Sequence, residues 1–404
     1  KSGNLLQTDP EIHDLLEAED ISACNQSDYI YHNAGYPIHG NTTAEYFQVG
    51  DDMFPVLVRE LEQAQHYIFI EYFIIHDGVM WRTILERKVQ EGVDVRLIYD
   101  DMGCLTTLPH KYYETMRSKG IKCQVFNPFR PILNIIQNNR DHRKFCIIDG
   151  YVGFTGGVNL ADEYINKKIR FGYWKDAGIR VEGECVNSFT TMFLEMWNYI
   201  NKDNAVHDEY LNPHNTFSQS EKSGFVQPFC DSPLEHDDVG ENLYVSIISR
   251  AKKYVYIFTP YLILGTELSH AMISAARSGV DVRIVVPKIP DKKLIYLQTK
   301  ANFRPLIEAG VRIYLYTPGF IHSKCIVADD DTAIVGTCNL DFRSMYWNFE
   351  DFVYMYRTQC IGKIKEDAIE TFAVSEEVYE ESTNDISFAG RLLQSILQLF
   401  APLL

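Results

Sequence analysis

Internal repetition constrains the fold of this chain more than any other feature of its 404 residues. The segment EGVDVRLI at residues 91–98 returns as SGVDVRIV at residues 278–285, an offset of 187 (279 minus 92). Residues 64–68 return at the same offset as residues 251–255. The chain is therefore predicted to contain two similar units.

Each unit has the element pattern of an α/β protein. Segments with helical apolar spacing alternate with strands rich in β-branched and aromatic residues. We assign residues 1–45 to a polar N-terminal segment, residues 46–206 to a first lobe and residues 207–404 to a second lobe, with linker-like sequence at 214–224. A C-terminal helix is predicted from the helical spacing of Leu392, Leu393, Ile396, Leu397 and Phe400.

Composition and charge exclude several classes of protein. With 46% hydrophobic and 23% charged residues, the chain has enough apolar material for a large core, which excludes a disordered or fibrous protein. The formal net charge of −17 has the wrong sign for a protein that binds nucleic acid. None of the nine cysteines forms a C-x-x-C pair, so we expect buried or reduced thiols.

One motif occurs in both units and indicates chemistry. The pattern H-x-K-x4-D occurs twice, 180 residues apart (322 minus 142), as His142-Lys144-Asp149 and His322-Lys324-Asp329. Each copy is followed by a Gly-rich segment that ends in an asparagine, Asn159 or Asn339. A single His near a Lys is more often a surface pair, but two copies at matched places of a duplicated chain favour a catalytic site.

The motif suits a phosphate ligand. On a strand, residues two apart share a face, so His142 is expected to project with Lys144, and His322 with Lys324. The lysines and asparagines would contact phosphate oxygens, and the glycines would let backbone N–H groups approach them. The motif aspartates have the opposite parity, which predicts structural carboxylates at the strand ends.

A metal site is the alternative interpretation of the two histidines. No H-x-x-x-H pattern or carboxylate cluster with ligand spacing accompanies them, so the sequence favours a site without a metal or other cofactor.

The motifs and their surroundings resemble the phospholipase D superfamily, and within it the bacterial cardiolipin synthases. The resemblance covers nearly the whole chain and is carried by residues 139–144, 148–150, 156–159, 259–261 and 336–344. It implies two similar lobes related by a pseudo-twofold axis, each a mixed β-sheet flanked by helices, with one shared active site.

The resemblance also implies a two-step mechanism. His142 is expected to attack phosphorus and form a phosphohistidine, while His322 transfers protons, although the near symmetry of the motifs leaves the reverse order open. Each imidazole needs an acidic partner. The candidates are Asp176, 34 residues past His142 (176 minus 142), and Glu350, 28 past His322 (350 minus 322), with ordinary surface acids as the alternative.

The implied activity is the transfer of a phosphatidyl group between two phosphatidylglycerol molecules, which yields cardiolipin and glycerol. The alternatives are a phospholipase D or phosphatidylserine synthase, a nuclease of the same superfamily, which the acidic charge disfavours, and a catalytically inactive lipid-binding protein.

Partners and location follow from the same resemblance. We expect a phospholipid substrate, contact with a membrane surface, no nucleic acid partner, and a catalytic domain at the cell membrane that faces the cytoplasm; no oligomeric state is predicted. No apolar run approaches the ~20 residues of a membrane span, and the N-terminal membrane segments usual in the family are expected to be missing from a chain that begins at Lys1. Apolar residues suited either to a lipid interface or to a core helix precede the first motif, at Phe129, Ile132, Leu133, Ile135 and Ile136. A basic cluster that would either attract anionic head groups or form an ordinary solvated face comprises Lys167, Lys168, Arg170 and Lys175.

Overall fold

The computed structural model describes residues 6–129, 138–205, 207–211, 224–235 and 237–383. Its α-helices are α1 (Pro10–Glu19), α2 (Ile21–Ala34), α3 (Gly50–Gln63), α4 (Val79–Gln90), α5 (Asp101–Cys104), α6 (Tyr112–Ser118), α7 (Val186–Asn201), α8 (Val239–Arg250), α9 (Thr266–Arg277), α10 (Lys293–Ala301), α11 (Phe303–Glu308), α12 (Phe342–Tyr346) and α13 (Cys360–Ala373). Short 3-10 helices span Asp162–Ile165, Asp208–Tyr210 and Glu380–Thr383.

The β-strands fall into two large sheets and a short pair. In chain order they are β1 (Thr42–Phe47), β2 (Tyr67–Tyr72), β3 (Asp94–Asp100), β4 (Lys122–Phe126), β5 (Arg140–Asp141), β6 (Lys144–Ile148), β7 (Val152–Gly156), β8 (Tyr173–Lys175), β9 (Gly178–Gly183), β10 (Phe225–Asp231), β11 (Tyr254–Phe258), β12 (Asp281–Pro287), β13 (Arg312–Tyr316), β14 (Gly319–Ile321), β15 (Cys325–Ala328), β16 (Thr332–Gly336), β17 (Asn348–Tyr356) and β18 (Ser375–Val378).

The two large sheets have the same topology. The first-lobe order is β1-β9-β7-β6-β2-β3-β4, and the second-lobe order is β10-β17-β16-β15-β11-β12-β13-β18. In each sheet two neighbouring pairs are parallel, β2–β3 and β3–β4 in one and β11–β12 and β12–β13 in the other, and the other pairs along these orders are antiparallel. The predicted duplication and the mixed α/β fold class are confirmed, with β18 as an addition to the second lobe.

Alternation along the strands divides the core of the first lobe. Every residue of β2 is buried, yet Tyr67 and Phe69 belong to a cluster that continues into the second lobe. Ile68 and Ile70 belong to a separate cluster on the other face, beneath α3 and α4. Because side chains alternate across a strand, one face of this sheet packs on its own helices and the other helps to join the lobes.

The N-terminal segment is folded and packs on the second lobe. Leu16 in α1 and Ile30 in α2 are fully buried in the shared core. The side-chain amide of Gln227 in β10 donates to backbone carbonyls of this segment, at 3.1 Å to Ser27 and 2.8 Å to Tyr36. The first strand of the first-lobe sheet, β1, begins at Thr42, four residues before the predicted boundary at residue 46 (46 minus 42).

All nine cysteines lie within the described ranges and are free thiols, eight of them buried and Cys230 partly buried. The prediction of buried or reduced thiols is therefore confirmed. Cysteine contributes to packing here as a small apolar side chain.

Candidate active site

Short strands exchanged between the lobes position the two motif histidines. β5 of the first lobe pairs in parallel with β17 of the second, and the backbone N–H of His142 donates to the Phe349 carbonyl at 3.0 Å. β14 of the second lobe pairs in parallel with β8 of the first, and the N–H of His322 donates to the Lys175 carbonyl at 2.7 Å. Each histidine is therefore attached to the lobe opposite its own.

The histidines do not lie on the strands that carry the rest of their motifs. β6 begins at Lys144 and β15 begins after Lys324, so the prediction that each His and Lys share one strand face is wrong. The exchanged strands end just before the histidines, and the chain must turn there to enter the lobe's own sheet. The Lys144 ammonium donates to the His142 carbonyl at 2.5 Å, and Lys324 makes the same bond to the His322 carbonyl.

The acidic partners of the imidazoles also come from the opposite lobe. His142 Nδ1 lies 2.9 Å from both carboxylate oxygens of Glu350, and His322 Nδ1 lies 2.6 Å from Asp176 Oδ2. The sequence positions had placed Asp176 downstream of His142 and Glu350 downstream of His322, but the structure pairs them the other way. The Lys324 ammonium also lies 2.7 Å from His322 Nδ1. A ring that donates its Nδ1–H to the carboxylate keeps Nε2 available for chemistry.

Two side chains that the sequence interpretation did not single out hold Glu350. The Thr337 hydroxyl donates to Glu350 Oε2 at 2.6 Å, and the Asn348 amide donates to Oε1 at 3.1 Å. Thr337 lies in the Gly-rich segment after the second motif, beside Asn339, so its position in that segment was a usable signal. Its equivalent in the first lobe is Gly157 (337 minus 180), which has no hydroxyl.

The glycines of these segments serve packing, which corrects the predicted phosphate contact. The Gly157 N–H donates to the Ala177 carbonyl at 3.0 Å, and the Gly336 N–H donates to the Lys324 carbonyl at 3.2 Å. A Cβ on Gly157 would lie 1.9 Å from Asp176 Oδ1. The absent side chain therefore leaves the space that the Asp176 carboxylate occupies.

The motif aspartates stabilise turns away from the imidazoles. Asp149 accepts hydrogen bonds from the backbone N–H groups of residues 65, 66 and 67, at 2.7–2.9 Å. Asp329 accepts from those of residues 252, 253 and 254, at 2.6–3.0 Å. Both aspartates have φ of +52° at the end of their strand, a conformation that aspartate tolerates better than most residues. The contacts match the structural role expected for these carboxylates.

Both imidazoles open onto one cavity of about 530 Å³ between the lobes. Lys144 and Lys324 are not among its lining residues and are 0% and 1% exposed. The Asn159 amide oxygen accepts from the Ile74 N–H at 3.0 Å. The cavity is lined by residues of both lobes, among them Phe73, Arg140, His142, Asn159, Tyr164, Arg170, Phe171, Trp174, Tyr261, Lys292, Ile295, His322, Asn339 and Arg343.

Burial keeps both imidazoles neutral. It lowers the pKa of His142 well below the usual value of 6.5, with further lowering by the nearby Lys144 and Lys324 ammonium groups. Burial also lowers the pKa of His322 to about 4, against the opposing effect of Asp176. A neutral ring is the form that can attack an electrophile or take up a proton.

The pKa values of the two acidic partners are shifted in opposite directions. Burial raises the pKa of Glu350 to about 7, although Lys144, Thr337 and Asn348 favour its ionised form. Burial would also raise the pKa of Asp176, but His322, Lys324 and its hydrogen bonds outweigh that effect and the pKa lies below its usual value. Asp176 is thus the carboxylate better suited to stabilise an imidazolium.

The predicted basic cluster is not a single surface. Lys175 is buried and its ammonium lies 2.6 Å from Asp367 of α13, so it links the lobes. Lys167, Lys168 and Arg170 are exposed in the segment before it.

Of the predicted membrane contacts, Phe129 is 45% exposed. Ile132, Leu133, Ile135 and Ile136 lie outside the described residues, as does the predicted C-terminal helix. None of the helices in the described ranges has the length and hydropathy needed to cross a membrane.

Groups of side chains that could bind a metal occur, within the described part of the chain, around His13 in α1, together with Cys24 and Asp28 or with Asp14 and Glu17. The elements that carry these residues contribute nothing to the walls of the cavity. The two motif histidines instead direct their Nδ1 atoms to single carboxylates.

Comparison with known proteins gives concordant results. A family model described as "Cardiolipin synthase, PLD-like domain" matches residues 57–197 and 244–372, so that each matched segment contains one motif histidine. A cardiolipin synthase of Alkalihalophilus pseudofirmus is 37% identical over 372 residues, which cover 91% of this chain and 73% of the relative. An uncharacterized protein of Streptococcus mutans is 46% identical over 401 residues, covering 98% of this chain and 86% of that protein.

A solved structure supports the fold. The phosphatidylserine synthase of Haemophilus influenzae Rd KW20 is similar with a TM-score of 0.68 at 14% sequence identity, covering 94% of this chain and 97% of that chain. At this sequence identity the similarity is evidence for the fold alone.

Proposed function

Because this chain belongs to the cardiolipin synthase family with phospholipase D-like domains, we propose that it transfers a phosphatidyl group from one phosphatidylglycerol to another, forming cardiolipin and free glycerol. The observation that carries this proposal is the pair of neutral imidazoles facing one cavity, each held by a carboxylate of the opposite lobe. Such a pair provides one nucleophile and one proton carrier for a phosphodiester bound between them.

The first step forms a covalent intermediate. His142 Nε2 attacks phosphorus, the bond from phosphorus to the head-group glycerol oxygen breaks, and that oxygen takes a proton from His322. Binding of the anionic phosphodiester, together with ionised Asp176, raises the pKa of His322, so the ring takes up a proton from solvent before the attack and can give it to the leaving oxygen. Glu350 stabilises the positive charge that develops on the phosphorylated His142 ring.

The second step restores the enzyme. A hydroxyl of the second phosphatidylglycerol gives its proton to His322 and attacks phosphorus, and the bond from phosphorus to His142 breaks. One phosphodiester replaces another, so the exchange is nearly isoenergetic. The cavity has to hold the lipid alcohol in place, since positioning can outweigh the high concentration of competing water.

Charge on the phosphate oxygens needs compensation in both steps. We propose that the buried ammonium groups of Lys144 and Lys324 and the amides of Asn159 and Asn339 supply it. Burial lowers the pKa of Lys144 to about 8 and that of Lys324 to about 7, and a bound anion favours the positively charged form of both. Preorganised donors in a site with little water contribute strongly to such stabilisation.

The proposed setting is the surface of the cell membrane, with the catalytic domain facing the cytoplasm. A lipid substrate supports this location, because its phosphate stays at the level of the head groups. The net charge of −17 argues against the nuclease alternative.

Product analysis tests the function. Vesicles of phosphatidylglycerol labelled in the head-group glycerol should give cardiolipin and glycerol in equal amounts, with little phosphatidic acid. Cardiolipin with excess glycerol should be converted back. The double variant His142→Ala, His322→Ala serves as the inactive control. Phosphatidic acid as the dominant product would establish water as the acceptor, and a product formed only with added serine would identify a phosphatidylserine synthase.

A further inference from the structure

A short loop beside the cavity projects from the first lobe. Its base is closed by Asn166, whose side-chain amide donates to the Trp174 carbonyl at 3.0 Å and whose amide oxygen accepts from the Trp174 N–H at 2.7 Å. Residues 167–173 between these points are named the rim loop. Arg170 and Phe171 of the rim loop line the cavity, so the loop stands at its mouth.

The tip of the rim loop exposes an apolar side chain among cations. Ile169 is 82% exposed, the largest exposed fraction among the large hydrophobic side chains of the described ranges. Lys167, Lys168 and Arg170 flank it and are exposed as well. Exposure of the Ile169 side chain to water is unfavourable, because burying such a side chain contributes about 1.5–3 kcal/mol.

The second lobe presents the same combination beside the cavity. Lys292 and Ile295 at the start of α10 line the cavity. Leu294 between them is 55% exposed and Lys293 is exposed. Each lobe thus places an exposed apolar residue with adjacent lysines in a segment that lines the cavity, in a chain whose net charge is −17.

We propose that the rim loop and the start of α10 form one docking surface for an anionic lipid bilayer. Ile169 and Leu294 insert among the acyl chains next to the head groups, and the adjacent lysines contact lipid phosphates. A surface of this charge orients an otherwise acidic protein with its cavity toward the membrane. The inference rests on the proposed function only in that the substrate is a membrane lipid.

Docking at the cavity mouth has a mechanistic consequence. A head group can reach His142 and His322 while its acyl chains remain in the bilayer, which avoids the cost of extracting a lipid into water. Lipid in the membrane and lipid dispersed as monomers should therefore depend differently on the docking residues.

The variant Ile169→Gln, Leu294→Gln tests the surface. Neither side chain lines the cavity, so both can change without altering the proposed chemistry. Binding to phosphatidylglycerol vesicles, measured by sedimentation, is expected to weaken roughly tenfold for each apolar residue removed. The matched control is Ile369→Gln, since Ile369 is 49% exposed on α13, which contributes no residue to the cavity.

Charge is tested separately with Lys168→Gln. Its effect on vesicle binding should be present at low salt and on phosphatidylglycerol vesicles, and should disappear on phosphatidylcholine vesicles or at high salt.

Turnover of short-chain phosphatidylglycerol below its micelle concentration separates docking from damage to the site. The Ile169→Gln, Leu294→Gln variant should keep kcat/KM on this monomeric substrate and lose it on vesicles. Unchanged vesicle binding, an equal loss in Ile369→Gln, or an equal loss of turnover on monomers would overturn the proposal. Vesicle binding is measured without turnover, so failure of the proposed phosphatidyl transfer would be seen independently, in the products of the unmodified protein.

Discussion

The different roles proposed for the two histidines can be separated by the leaving group. A glycerol alkoxide needs a proton to depart, whereas p-nitrophenolate departs without one. Replacing Asp176 by Asn removes the carboxylate that holds His322 Nδ1 at 2.6 Å and stabilises its protonated ring. The loss should therefore be large for phosphatidylglycerol and small for phosphatidyl-p-nitrophenol.

The structure allows an estimate of the size of this effect. A buried hydrogen bond to a charged group contributes about 1.5–3 kcal/mol, which corresponds to roughly 10- to 150-fold in rate. An amide at this position also offers an N–H where the ring needs an acceptor, and the equivalent change in a serine-protease triad costs about 10⁴-fold. We expect Asp176→Asn to slow cleavage of phosphatidylglycerol by about 10²- to 10⁴-fold and release of p-nitrophenol by less than about tenfold.

The matched variant is Glu350→Gln, which alters the partner of His142 at 2.9 Å. Because His142 is the proposed nucleophile, this change should slow both substrates to a similar extent. Stopped-flow release of p-nitrophenol and trapping of the phosphorylated protein after acid quench measure the first step in both variants. If Glu350→Gln, rather than Asp176→Asn, slowed phosphatidylglycerol strongly and phosphatidyl-p-nitrophenol little, the roles of the two histidines would be exchanged. Equal losses for both variants on both substrates would refute the assignment of different roles to the two histidines.

Three further predictions use other contacts of the site. Thr337→Val removes a 2.6 Å hydrogen bond that favours ionised Glu350, so the Glu350 pKa should rise above its value of about 7. The wild-type kcat/KM should increase with pH through that pKa, so in the variant this increase should shift to higher pH and kcat/KM at neutral pH should fall about fivefold. An unshifted pH profile would contradict the role of Thr337. Gly157→Ala places a Cβ against the Asp176 carboxylate and should reduce turnover about as far as Asp176→Asn. The control Gly362→Ala, whose added Cβ would have no atom within 4 Å, should leave turnover unchanged. Circular dichroism checks that both variants fold. Turnover should survive dialysis against EDTA, and a loss that one divalent metal restores would exclude the proposed metal-free stabilisation by lysines and amides.

The fold class could be predicted from the repeat and the two motifs because both are local sequence patterns. Strand and helix periodicity depends on neighbouring residues, and a matched offset between two segments indicates duplication without any knowledge of contacts. The shared order of strands in the two sheets agrees with that inference. The N-terminal helices were missed because their apolar residues, such as Leu16 and Ile30, become a packing face only against the second lobe.

By itself the sequence determined the duplicated α/β fold, the two histidines and the pair of acids that accompany them. Only the tertiary structure decided which acid serves which histidine, because the exchange of β5 and β14 between lobes brings residues 208 and 146 positions apart into contact. Spacing along the chain gave no indication of that exchange. The same is true of Gly157, whose missing side chain matters only because Asp176 occupies the space beside it.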